Sequence, residues 1–189
     1  MGPRMGDGKK KGLKAVANAH GVIAALAIDQ RSRSALRKLF GKATNVAPDA
    51  VPVEKLVQFK EAVSRALSPH ASAILLDPEY GLPAAKQRAK SAGLLLAYEK
   101  TGFDHSVAGR LPTLLERWSA ERLVVSGADA IKLLLYYSST SPQEINNRKH
   151  VFVERLGAEC AGLDAQSCLS SAAEAAAASH SRRKGKGRL

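Results

Sequence analysis

The 189-residue sequence has no apolar run near the roughly 18 residues that a membrane span needs, and its start lacks the apolar core of a signal peptide. No membrane association is expected, and the expected setting is the cytoplasm. Only two cysteines occur, Cys160 and Cys168, too few for a disulfide framework and not spaced as a CxxC metal or redox pair. They are expected as reduced thiols on or near a helix. The five histidines are scattered without ligand spacing, so no metal is expected. The glycine-rich segment Gly6-Asp7-Gly8-Lys9-Lys10-Lys11-Gly12 has no GK[ST] ending and follows no strand, which excludes a phosphate loop.

What is abundant is positive charge, +12 in all. Residues 1–14 contribute +4 and residues 181–189 contribute +5, leaving +3 for everything between. The basicity therefore sits in two tails rather than on a folded face. Such tails attract phosphate backbones without reading sequence. Solvated ends are the expectation, and nucleic acid is not the expected partner.

The chain is 45% hydrophobic and long enough for one ordinary globular domain. From His20 onward, short apolar runs alternate with helical patterns. Val22 to Ile28 is wholly apolar and ends at Asp29, as a strand covered on both faces reads. A polar, Gly- and Pro-punctuated stretch follows to Pro52. Val53 to Leu67 places Leu56, Val57, Phe59, Val63 and Leu67 at helical spacing. Ala73 to Leu76 is a second strand ending at Asp77, and Pro83 to Ser91 suits a short helix. Leu94 to Tyr98 is a third strand ending at Glu99 and Lys100. Pro112 to Ser126 reads as a helix with proline in its first turn and Gly127 past its end. Ala130 to Tyr137 is a fourth strand, and Ser141-Pro142-Gln143-Glu144 opens a helix running to about Leu163. Strands alternating with helices predict parallel β/α units. Four units are present, where a complete (β/α)₈ barrel needs about 250 residues.

Residues 164–189 contain no Val, Ile, Phe, Tyr or Trp. They are Ala/Ser-rich, then Arg/Lys/Gly-rich, with at most a helical turn or two expected over Ala172 to Ala178 and no fifth strand. The expected organisation is a basic flexible arm (1–19), four β/α units of a truncated TIM barrel (20–163) and a disordered or locally helical tail (164–189). Such an ending after a sharp break in composition is also what out-of-frame translation of a GC-rich gene produces.

In barrels and doubly wound sheets, chemistry sits at the C-terminal strand ends. Those ends carry Asp29 with Gln30 and Arg31, Asp77 with Glu79, and Glu99 with Lys100. The fourth strand differs, because Lys132 lies inside Ile131-Lys132-Leu133-Leu134-Leu135. Alternation puts Lys132 on the face opposite Ile131, Leu133 and Leu135. If that face is the barrel interior, Asp29 is its natural partner, since an unpaired buried lysine is costly. Burial and a neighbouring cation would each lower its pKa towards that of a nucleophile or proton donor. A lysine snorkelling to solvent is the other reading.

Five strings appear in a fixed order over roughly residues 20–160: Ala27 to Arg31, Ala71 to Gly81, Gly93 to Gly102, Gly127 to Tyr137 and Glu154 to Cys160. Together they resemble the tagatose-1,6-bisphosphate aldolase family, class I ketose-bisphosphate aldolases. The resemblance implies a (β/α)₈ barrel and reversible cleavage of tagatose 1,6-bisphosphate to dihydroxyacetone phosphate and glyceraldehyde 3-phosphate. A lysine Schiff base would serve as electron sink, with a phosphorylated ketose as substrate and with no cofactor or metal. By the same resemblance Asp29 and Lys132 match the active-site aspartate and the fourth-strand lysine that assist proton transfer and charge balance. Gln30 and Arg31 complete the first motif as candidate substrate-binding residues.

The chain departs from the family pattern in two places. Ser32-Arg33-Ser34 stands where the family has a glycine and a shorter link. After Cys160 no segment matches the fifth-strand glutamate or the sixth-strand imine-forming lysine. Ser167-Cys168-Leu169-Ser170 occupies the place of the glutamate, and Lys184 and Lys186 match no strand. An inactive aldolase half-barrel with exposed, self-associating sheet edges is the expectation. One alternative is a working aldolase activity, through a second polypeptide or through assembly of half-barrels. The other is a non-catalytic binding module that uses its basic tails.

Overall fold

A computed structural model describes residues 5–31, 35–100, 107, 109–161, 163 and 167–174, with the main chain alone for 35 and 167–174. Five parallel strands form one sheet in chain order: β1 (Ala25–Ala27), β2 (Ala73–Leu76), β3 (Gly93–Ala97), β4 (Ala130–Tyr137) and β5 (Ser167–Glu174). Helices α3 (Val53–Leu67), α4 (Leu82–Lys86), α5 (Ala120–Val125) and α6 (Gln143–Ala161) provide the crossovers. Order and alternation are those of consecutive β/α units of a curled TIM-barrel sheet, in the α/β class.

Period-two alternation divides each strand between two faces. Ile74, Leu76, Leu94, Leu96, Ile131 and Leu133 face outward and pack against Phe59 and Val63 of α3, Leu123 of α5 and Leu156 of α6. Ala73, Leu75, Leu95 and Ala130 face the other way and meet Val16. Lys132 shares this second, concave face, as alternation from Ala130 requires.

Several elements differ from the sequence expectation. The expected flexible arm instead contributes α1 (Asp7–Val16). Its last residue, the wholly buried Val16, plugs the N-terminal mouth of the sheet against Ala73 and Ala130, the first residues of β2 and β4. The approach is close: a Cβ on Gly93 would stand 2.4 Å from the Ala15 carbonyl oxygen. The Ser72 hydroxyl links the layers, accepting from the Ala24 N–H and donating to the Val16 carbonyl, each at 2.8 Å.

The stretch read as polar before Pro52 contains α2 (Ala35–Thr44), whose Leu36 and Phe40 join Val51, Leu56 and Phe59 in a satellite core. Phe40 and Phe59 meet edge to face with centroids 5.3 Å apart. The helix expected from Pro112 begins only at Ala120, where the Ser119 side chain accepts from the Arg122 N–H. Leu114 instead forms an antiparallel bridge with Glu99.

The largest difference is β5. Residues 167–174 pair in parallel with β4, from Ala130 opposite Ser167 to Tyr137 opposite Glu174. An open edge offers a row of unpaired main-chain donors and acceptors, and these pair with a following segment whatever its side chains. Cys160, expected as a free thiol, is disulfide-bonded. The remainder of both tails, 1–4, 164–166 and 175–189, lies outside the described residues.

Candidate functional site

Asp29, Glu99 and Lys132 come from the ends of β1 and β3 and from within β4 and meet on the concave face. Lys132 Nζ donates to Glu99 Oε1 at 2.5 Å and to Asp29 Oδ2 at 3.2 Å. The side chains of Lys132, Asp29 and Glu99 are 16%, 21% and 11% exposed, so all three are largely withdrawn from water yet open on one side. The pairing of Asp29 with Lys132 follows from strand parity; Glu99 as the nearer partner does not, although parity also sends residue 99 inward.

The electrostatics reverse one expectation. Burial alone would lower the Lys132 ammonium, but the Glu99 carboxylate and then Asp29 outweigh it, holding the pKa above the ordinary lysine range. Lys132 is therefore a fixed positive charge rather than a free amine at neutral pH. An ammonium held in this way can balance negative charge but is not poised for nucleophilic attack.

Arg31 is buried, and its guanidinium is committed to protein groups. It donates to the Glu99 carbonyl at 2.5 Å and the Ala97 carbonyl at 3.4 Å, with Glu79 Oε2 3.5 Å from Nε. A side chain so occupied ties the end of β1 to the end of β3 across β2. Gln30, the other residue of that motif, is exposed. Lys100 pairs with Glu116 at 2.5 Å on the surface, away from the cluster.

A second charged group stands beside the first. Lys60 of α3 has no exposed surface and donates to the Ile28 carbonyl at 2.9 Å and to Asp77 Oδ1. Asp77 Oδ2 accepts the Tyr80 N–H at 2.7 Å. The apolar positions that define α3 in the sequence do not include Lys60. Lys60 falls four residues after Leu56 and four before Ser64, in the middle of the buried stripe. A lysine there is the signal that was available. Among the described residues no group of three or more His, Cys, Asp or Glu is placed to hold a metal ion, and no helix is long and apolar enough to cross a membrane.

A family model described as DeoC/LacD family aldolase matches residues 23–176. The match runs past Cys160, where the motif resemblance stops, and includes β5. Among curated relatives, tagatose 1,6-diphosphate aldolase 2 of Enterococcus faecalis is 58% identical over 157 residues, 83% of this chain and 46% of that protein. Tagatose 1,6-diphosphate aldolase 1 of the same organism is 50% identical over the same shares. Tagatose 1,6-diphosphate aldolase 2 of Streptococcus agalactiae is 47% identical over 82% of this chain and 46% of its own length. The chain spans about half the length of the curated relatives it matches.

Proposed function

The chain belongs to the DeoC/LacD aldolase family, and we propose that it carries the first-half residues of a class I aldolase site acting on tagatose 1,6-bisphosphate in the cytoplasm. The carrying observation is the cluster of Asp29, Glu99 and Lys132 at the C-terminal side of the sheet, where barrel chemistry is located. In this reading Asp29 exchanges a proton with the substrate, and Lys132, kept protonated by Glu99, balances the charge that develops as the carbon–carbon bond breaks. Arg31 positions Glu99 rather than contacting the sugar. The imine would form on another lysine, because a protonated amine does not attack a carbonyl. Among the described residues strand β1 pairs on one side only, and its open main-chain edge favours self-association.

By itself the chain is inactive in this reading, for want of an imine-forming lysine at a matching position. The test compares it with a chimera joining residues 1–160 to the C-terminal half of the Enterococcus faecalis relative. Retro-aldol cleavage of tagatose 1,6-bisphosphate is expected from the chimera alone, falling by about 10²-fold or more on Asp29→Asn. After borohydride reduction, neither Lys132 nor Lys100 of the native chain should carry an adduct by mass. A folded but inactive chimera, or a stoichiometric adduct on either lysine, contradicts the proposal. The inactive chimera favours a non-catalytic binding module.

A further inference from the structure

We propose that Lys60 is a positioning residue for Asp29: from α3 it holds the main chain of the residue before Asp29 and thereby sets the aspartate against Lys132. The inference rests on the cluster reading above and adds a residue that neither the motifs nor the resemblance singles out.

Strand β1 is short. It has three residues and, among the described residues, one neighbour, β2, and Asp29 lies two residues past its end. Ile28 keeps one ladder bond, its N–H donating to the Leu75 carbonyl at 2.9 Å. Its carbonyl accepts from Lys60 Nζ at 2.9 Å. The same ammonium is bonded to Asp77, which is itself fixed by the Tyr80 N–H in the turn after β2. Lys60 thus joins the ends of β1 and β2 at the point where Asp29 leaves the sheet. Two residues beyond Asp29, Arg31 donates to the Glu99 carbonyl. Asp29 is therefore tethered on both sides, once to α3 and β2 and once to β3.

Packing does not account for a lysine here. A methionine would fill much the same volume without placing an ammonium where no part of it meets water. The charged groups around Lys60 are Asp77, Asp29 and Arg31, and those around Lys132 are Glu99 and Asp29. Burial pushes Lys60 below the ordinary lysine range, against the opposing pull of Asp77 and then Asp29. Asp29 is thus within electrostatic reach of both lysines.

The test reads the titration midpoint of Lys132 in the full chain, from the pH dependence of its acetylation by trace acetic anhydride, followed by peptide mass spectrometry. Asp29→Asn removes one partner directly and should lower the midpoint. The double variant Lys60→Met/Asp77→Asn removes the tether without stranding a buried charge and leaves Tyr80 an acceptor. It should retain the circular dichroism and cooperative melt of the parent while lowering the Lys132 midpoint by about half the Asp29→Asn effect or more. An unchanged midpoint in the folded double variant, with Asp29→Asn effective, overturns the positioning role and leaves the cluster standing. If Asp29→Asn itself has no effect, the cluster reading fails and the proposal with it. A double variant without a cooperative melt makes Lys60 purely structural and also overturns the proposal.

Discussion

Asp77→Asn is expected to destabilise the protein by about 3–5 kcal/mol near neutral pH, the cost of leaving one half of a buried ion pair unpaired. Lys60 and Asp77 have no exposed surface, so water cannot replace the lost carboxylate. Against a typical domain stability of roughly 5–15 kcal/mol, this is a large fraction of the whole. The deficit should shrink as pH rises. Burial already lowers the Lys60 pKa, and the variant loses the main group that opposes it. Between the folded value and about 10.5, the ordinary value for the unfolded chain, the unfolded state holds more protons, so stability climbs with pH. Urea denaturation of parent and variant at pH 7 and pH 10 measures the change. A deficit independent of pH would mean that the loss comes from packing or from the Tyr80 hydrogen bond rather than from the stranded ammonium.

Lys132→Met has the opposite pH signature. Asp29 and Glu99 both bond to the one ammonium, and without it two carboxylates face each other in a site only partly open to water. The expected loss is roughly 2–3 kcal/mol at pH 7, below that of a fully buried pair because the cluster retains solvent contact. It should diminish as pH falls into the carboxylate range, since protonating either acid relieves the repulsion. In the parent, the raised Lys132 pKa contributes stability that is fully present below about 10.5 and is lost as pH rises through the folded value. That alkaline loss should be absent from Lys132→Met. Thermal melts from pH 4 to pH 11 would show both effects. A variant as stable as the parent throughout would mean that Lys132 extends to water and that the cluster is loosely held.

The legible parts of the fold were those in which local pattern and tertiary contact agree. The expected bounds of β2, β4 and α3 match the observed ones, because a buried parallel strand is a short apolar run and α3 buries one helical stripe. α2 was missed because Arg37, Lys38, Gly41 and Lys42 dilute the apolar positions that Leu36 and Phe40 bring to the satellite core. α1 was missed because Val16 at the end of a lysine-rich segment finds its partners on β2, β3 and β4, none of them local. β5 has almost no β-favouring side chain, and its signal is the main-chain edge of β4 rather than its own composition. In the site, strand parity was enough to join Asp29 to Lys132. It was not enough to reveal Lys60, which reaches the strand ends from a helix, or to show that Arg31 spends its donors on backbone carbonyls.

The most direct measurement of the central claim is the midpoint for deprotonation of Lys132 in the unmodified chain, read by competitive acetylation across pH 8 to 12. A lysine held by Glu99 and Asp29 on the concave face should titrate above the ordinary value of about 10.5 and should react more slowly at neutral pH than the surface lysines. A midpoint at or below the ordinary value would contradict the account, because Lys132 would then be an available amine and not the fixed charge of an aldolase half-site.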